Sequence, residues 1–206
     1  LEDLTQIPPD GGAGDDRLLG SNGIDLLVGG DNNDFIDGQQ GNDTVFMGAG
    51  DDTFQWDPGD GSDIVEGQAG ADTLLFNGSA GAEIFDASPN GNRVRFTRNL
   101  GTIVMDLDDV ETINLNALGG IDSLTVNPMN GTDLTAVNVD LAGTIGGTVG
   151  DAAVDTITVN GTASPDNINI SANAGVVEVY GLAALVRILH PEMANDDLIV
   201  NGLGGV

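Results

Sequence analysis

GGAGDDRLL (11–19), GSNGIDLLV (20–28), GGDNNDFID (29–37), GQQGNDTVF (38–46), MGAGDDTFQ (47–55), PGDGSDIVE (58–66) and GQAGADTLL (67–75) follow one another with one interruption, Trp56-Asp57. Position six is aspartate in all seven: Asp16, Asp25, Asp34, Asp43, Asp52, Asp63 and Asp72. Position eight is apolar in all seven: Leu18, Leu27, Ile36, Val45, Phe54, Val65 and Leu74. Position four is glycine except at Asn32, and asparagine is the next most tolerant residue where φ is positive. Three columns that agree from residue 11 to 75 define a nine-residue repeat.

Six residues rich in Gly, Asn and Asp make a turn, because they accept left-handed backbone at little steric cost. The remaining three form a short strand whose middle side chain points inward. One such strand buries little. Two repeats make a coil of 18 residues, and stacked coils align their position-eight side chains into a thin apolar seam, with backbone hydrogen bonds between coils about 4.8 Å apart. The expected fold is all-β: a parallel β-roll without substantial helix.

Stacking also superposes aspartates. One rim carries Asp16, Asp34, Asp52 and Asp72, the other Asp25, Asp43 and Asp63. Carboxylates about 5 Å apart repel by ~0.8 kcal/mol per pair in water, and more when partly desolvated. A hard divalent cation between them reverses the sign. Calcium suits best, because it takes about 6–8 oxygens in loose geometry, backbone carbonyls included; magnesium demands a tighter octahedron. Zinc prefers nitrogen and sulfur ligands, which this segment lacks. The alternative is a metal-free turn in which each aspartate caps its own backbone; a column without one Asn or Ser favours the ion.

Composition narrows the function. The net charge is −28, the five basic residues are all arginine, and there is no cysteine. Such a polyanion has no basic footprint for nucleic acid or an anionic membrane surface, and no disulfide framework or thiolate metal site. No apolar run approaches the ~18 residues of a membrane span. Residues 1–10 read as a lead-in without signal-peptide character, and the end at Gly202-Leu203-Gly204-Gly205-Val206 reads as an unfinished motif of a longer protein.

Residues 11–75 resemble the hemolysin-type calcium-binding repeats of the RTX (repeats-in-toxin) family, consensus G-G-x-G-x-D-x-U-x, and GGAGDDRLL matches it completely. The resemblance implies calcium between each turn and the turn one coil on, bound by both position-six carboxylates and by backbone carbonyls of positions one to four. That assigns about five intervals: Asp16/Asp34, Asp34/Asp52, Asp25/Asp43, Asp43/Asp63 and Asp52/Asp72, the last two spanning the insertion. The carbonyl candidates are Gly11, Ala13, Gly20, Asn22, Gly29, Gly30, Asp31, Asn32, Gly38, Gln39, Gln40, Gly41, Gly48, Gly50, Gly59 and Gly61. Met47 and Pro58 replace position-one glycine but keep a carbonyl.

Beyond Leu75 the nonapeptide gives way to a recurrent phrase: DTLLFNG (72–78), DSLTVNP (122–128), DTITVNG (155–161) and DDLIVNG (196–202). Alternating segments at 93–96, 102–107, 111–115, 137–141, 166–170, 176–180 and 185–188 read as further strands. Residues 11–77 are therefore expected to form the roll, and 78–206 a broader, irregular β-solenoid, with an antiparallel sandwich as the alternative. GGID (119–122) and GLGG (202–205) resemble degenerate first-half turns. His190, the single histidine, sits in a loop without a nucleophile motif nearby. Arg93 and Arg95 share the solvent face of a strand and, with Arg98, form the one basic cluster, a candidate clamp for sugar carboxylates. Trp56 is expected to cover the insertion, with carbohydrate stacking as the alternative.

These readings describe a non-enzymatic, calcium-binding structural module of a secreted or surface-attached bacterial protein. It would fold on meeting calcium outside the cell after type I secretion and serve as a scaffold, surface-layer or filament segment, with copies of itself as partners. The competing expectations are a carbohydrate-binding adhesin module and an accessory region of a β-helix polysaccharide enzyme.

Overall fold

The computed structural model describes residues 10–204, so the lead-in at 1–10 lies outside it apart from Asp10. In the first half, β1 (Asp10–Ala13), β3 (Leu26–Asp31), β5 (Thr44–Ala49) and β7 (Ile64–Ala69) stack in a first sheet. β2 (Arg17–Leu19), β4 (Phe35–Asp37), β6 (Thr53–Trp56) and β8 (Thr73–Ser79) stack in a second. Neighbours are parallel and one coil apart: Leu18 pairs with Ile36 and Ile36 with Phe54, Leu27 with Val45 and Val45 with Val65. These partners are the position-eight residues, and they form the apolar seam. The first-sheet strands outrun the three residues expected, because positions one to three of the next repeat also pair (Gly30 with Gly48).

Close stacking explains the position-four glycines. Gly50 has φ +145°, and a Cβ there would lie 2.4 Å from the Asn32 carbonyl oxygen. Asn32 itself adopts φ 78°, positive like Gly14, Gly41, Gly50 and Gly70 of its column.

The second half continues the stack. Its strands are β9 (Ile84–Asn90), β10 (Arg93–Arg98), β11 (Ile103–Asp108), β12 (Thr112–Leu118), β13 (Ser123–Val126), β14 (Ala136–Asp140), β15 (Thr156–Asn160), β16 (Asn169–Asn173), β17 (Val176–Tyr180), β18 (Leu185–Leu189) and β19 (Asp197–Asn201). The sequence β9-β13-β15-β19 extends the first sheet in parallel, and β8-β12-β14-β18 the second. The irregularity expected of this half is concentrated in two antiparallel meanders. β9 settles three places along from β7; β10 and β11 then fold back antiparallel to fill the two places between, and β11 lands parallel on β7. β16, β17 and β18 make the same out-and-back meander in the second sheet, with β18 landing on β14. Glycine turns at Gly91 (φ 74°) and Gly175 (φ 81°) permit both hairpins. Among the described residues helix is limited to one 3₁₀ turn, Leu100–Thr102.

The recurrent phrase now has a physical meaning. Its asparagines stack as an amide ladder, Asn201 donating to Asn160 and Asn160 to Asn127 at 2.9 Å each, ending on Asp86. A second ladder runs from Asn116 through Asn77 to Asp57, giving the inserted aspartate a partner. Trp56 corrects the expectation: it lies inside the stack rather than over it, fully buried, stacked on Phe76 at 4.1 Å with its Nε1 donating to the Gly61 carbonyl at 2.8 Å. The insertion widens that coil, and the indole fills the extra width. It offers no face to a sugar.

Candidate metal centre

Five of the seven position-six carboxylates, Asp34, Asp43, Asp52, Asp63 and Asp72, have two unlike oxygens. Oδ1 accepts the backbone amide of the aspartate one coil earlier: Asp34 from Asp16 at 2.8 Å, Asp52 from Asp34 at 2.7 Å, Asp43 from Asp25 at 2.8 Å. Across the insertion Asp63 accepts from Asp43 at 2.8 Å and Asp72 from Asp52 at 2.9 Å, so both rims pass it intact. Oδ2 of Asp16, Asp34, Asp43, Asp52, Asp63 and Asp72 is buried and meets no donor. A buried anionic oxygen without a partner is costly. Desolvation accordingly pushes Asp43 up to about 6 and Asp63 and Asp72 up to about 7, against the amide bonds that pull the other way; Asp52 moves upward for the same reason. Asp25 differs, since its Oδ2 takes the Ser21 amide at 2.6 Å.

What lies opposite those oxygens decides the chemistry. A Cβ on Gly29 would sit 2.1 Å from the Met47 carbonyl oxygen and 2.7 Å from Asp34 Oδ2. On Gly11 it would meet the Gly29 carbonyl at 2.4 Å and Asp16 Oδ2 at 3.0 Å; on Gly20, the Gly38 carbonyl at 2.3 Å and Asp25 Oδ2 at 3.1 Å. A carboxylate oxygen, without a donor at Asp16 and Asp34 but holding the Ser21 amide at Asp25, thus converges with a next-coil carbonyl on a spot that only glycine leaves clear. The cradle is all-oxygen and anionic, which fits a calcium ion.

The carbonyl candidates divide. Gly29 and Gly38 face such cradles, as does Met47, which lay outside the candidate set. The Gly12 and Gly30 carbonyls stack under Gly30 and Gly48, and those of Asn32, Gly41 and Gly50 under the position-four glycines one coil on, Gly61 among them. The Asp31 carbonyl accepts the Gly14 amide at 3.0 Å and serves the sheet, while Ala13 belongs to β1. Gln39 is held at φ 60° with its amide on Asp37; Asn22, Gln40 and Gly59 are exposed turn residues.

Sequence reading missed three features. Position five carries a second ladder of opposite sense: Asn33 donates its amide to Asp15 Oδ1 at 3.2 Å, Asp51 to Asn33 at 2.9 Å, Ala71 to Asp51 at 2.9 Å and Ser62 to Asn42 at 2.9 Å. Here the later coil donates; at position six the earlier one does. Asp or Asn at Asp15, Asn33, Asn42 and Asp51 was the available signal. Second, Asp60, at position three of the repeat that follows the insertion, is pushed up to about 6 chiefly by desolvation and also by Asp37, Asp57 and Asp43 nearby.

The third is an eighth repeat, GSAGAEIFD (78–86), with Glu83 at position six and Phe85 at position eight. Its cradle is built alike, a Cβ on Gly78 meeting the Ala117 carbonyl and Glu83 Oε2 at 2.7 Å each. Both Glu83 oxygens are occupied, however: Oε2 takes the Ser79 amide at 2.7 Å and Oε1 the buried Arg98 guanidinium. Arg98 also reaches Ser79 Oγ at 3.2 Å and lies 5.3 Å over the Trp56 ring. A fixed side-chain cation stands at this turn. The basic cluster is therefore divided: Arg93 pairs with Glu66, Asp106 and Asp108, and Arg95 alone is exposed. His190 Nδ1 lies 2.7 Å from Asp140 Oδ1.

Comparison with known proteins bears on the first half. The profile of the RTX calcium-binding nonapeptide repeat (4 copies) matches residues 10–27, 19–54 and 58–88, and this segment carries RTX repeats. No curated protein matches the chain. Among solved structures the chain is similar to the extracellular lipase LipA from Serratia marcescens, at 14% identity and a TM-score of 0.23, covering 87% of this chain and 38% of the lipase.

Proposed function

We propose, on the premise that residues 10–88 carry RTX calcium-binding nonapeptide repeats, that this chain is a non-enzymatic, calcium-responsive structural module of a secreted or surface-attached bacterial protein. The observation that carries the reading is the column of buried carboxylate oxygens without donors, set beside next-coil carbonyls at glycine cradles. The ions would lie in the five intervals Asp16/Asp34, Asp34/Asp52, Asp25/Asp43, Asp43/Asp63 and Asp52/Asp72.

Calcium would supply the charge compensation that five arginines cannot give to 33 acidic residues. Extracellular-type modules bind calcium at ~10⁻⁴–10⁻³ M, so in cytosol the roll stays metal-free and strained by its own carboxylates. At a hundred times the dissociation constant each site adds ~2.7 kcal/mol, and five sites rival a whole domain's margin of ~5–15 kcal/mol. The fold is thereby only marginally stable until the chain meets millimolar calcium, which suits the export of unfolded RTX proteins through a type I channel. Outside the cell the stiffened stack serves as scaffold, surface layer or filament segment.

The test is circular dichroism and calcium titration of the full chain. Calcium should raise the β signal and chelator should abolish the gain within residues 11–75. Equal β content in both conditions would sink the reading.

A further inference from the structure

Asp72 is the last aspartate of the seven-copy array, and its surroundings repeat those of the aspartates before it. It is wholly buried, and its Oδ2 has no partner. At Asp34 that oxygen lies beside Gly29 of its own turn and the Met47 carbonyl one coil on. At Asp72 the corresponding residues are Gly67 and Asp109: a Cβ on Gly67 would meet the Asp109 carbonyl oxygen at 1.7 Å and Asp72 Oδ2 at 2.8 Å. Asp109 lies outside every nonapeptide, in the link between β11 and β12. The amide bond recurs too. Asp52 donates its N–H to Asp72 Oδ1 at 2.9 Å, and Asp72 donates its own to Glu111 Oε2 at 2.7 Å. Glu111 therefore occupies position six of a coil that has no repeat sequence. The Asp108, Asp109 and Asp133 carboxylates, which approach within 4.8 Å of one another, add negative field on the same link.

We propose that a further divalent cation, calcium by its all-oxygen anionic ligand set, binds between Asp72 and Glu111. Asp72 Oδ2, the Asp109 carbonyl and the Glu111 carboxylate hold it. The proposal rests on the calcium reading of the repeats and carries it past them. Its ligands stand on either side of the β9–β11 meander, so this ion ties the non-repeat half of the chain to the calcium-dependent half.

The experiment counts bound calcium on the full chain by equilibrium dialysis in millimolar calcium, for the wild type, Glu111→Gln and Glu111→Asp, with Glu178→Gln as a charge-matched control. Glutamine keeps an acceptor for the Asp72 amide but loses the charge. Glu111→Gln should bind one ion fewer than the wild type, Glu111→Asp the full number with a weaker midpoint, and the control should be unchanged. A calcium anomalous difference map of wild-type crystals should show a peak between Asp72 and Glu111, which decides the matter if Glu111→Gln fails to fold. Peaks between Asp16 and Asp34 with none at Glu111, or an equal ion count in Glu111→Gln, would overturn this proposal alone. Absence of calcium from the whole wild-type chain would overturn the reading beneath it.

Discussion

The backbone amide of Asp16 donates to Asp34 Oδ1 at 2.8 Å, while the second oxygen of the same carboxylate is buried without a donor. One side chain thus performs two separable tasks, joining coils through Oδ1 and presenting a metal ligand through Oδ2. Asp34→Asn keeps an acceptor for Asp16 and removes the charge. In chelator its urea midpoint should match or exceed the wild type. In millimolar calcium it should lose at least the ~2.7 kcal/mol of one well-filled site, and Asp16→Asn, at the end of the rim, should lose less. Asp34→Ala should cost a further ~1–3 kcal/mol in both buffers, because the Asp16 amide is then left without a partner.

Two glycines separate crowding from backbone strain. Gly29→Ala drives a methyl to 2.1 Å from the Met47 carbonyl and 2.7 Å from Asp34 Oδ2. It should abolish calcium stabilisation at that interval. Gly59 has φ +124° and open space around it, so Gly59→Ala should cost ~1–3 kcal/mol whether or not calcium is present. Thermal melts of both variants with and without chelator check the contrast.

Arg98 and Glu83 are both buried and paired with each other. Arg98→Met strands the carboxylate and should destabilise the chain by ~3–5 kcal/mol even in chelator. The double variant Arg98→Met/Glu83→Gln should recover most of that loss. Trp56 emission should shift in the single variant, since the guanidinium lies 5.3 Å over its ring.

The pH dependence should reverse with calcium. Asp43 is raised to about 6 and Asp63 and Asp72 to about 7, above their unfolded value of 3.8. The metal-free fold binds protons more tightly than the unfolded chain, so its stability is greatest below pH ~4 and falls as pH rises through 6 to 7. In calcium the ion competes with those protons, and stability should rise across the same window. Melting temperatures at pH 5 and 7.5, with and without chelator, measure both slopes.

The first half was legible because one period fixes both the coil and its side-chain columns: Leu27, Val45 and Val65 are neighbours in space since they are equivalent in the repeat. The eighth repeat escaped because glutamate replaced aspartate at Glu83 and Phe76-Asn77 preceded it. The meanders escaped for a different reason. Alternation marks Arg93–Arg98 and Val176–Tyr180 as strands but is silent on whether they run with or against their neighbours. A longer repeat was present to be read: ETINLNALGG (111–120) follows DTLLFNG as DDLIVNGLGG (196–205) follows DTITVNG. The bonds agree. Asp72 to Glu111 recurs as Asp155 to Asp196, Asn116 to Asn77 as Asn201 to Asn160, and Ser79 to Glu83 as Thr162 to Asp166. Glu111 was invisible as a ligand because its place is set by that longer unit, not by the nonapeptide.

The two meanders also bear on how such a chain grows. Each adds two strands to one sheet only, about 10 Å at ordinary interstrand spacing, and so forms a one-sided wedge in the stack. The first wedge enters beside β7 and the second beside β14, on opposite flanks. The second addition offsets the first, so that among the described residues the first sheet counts ten strands and the second nine.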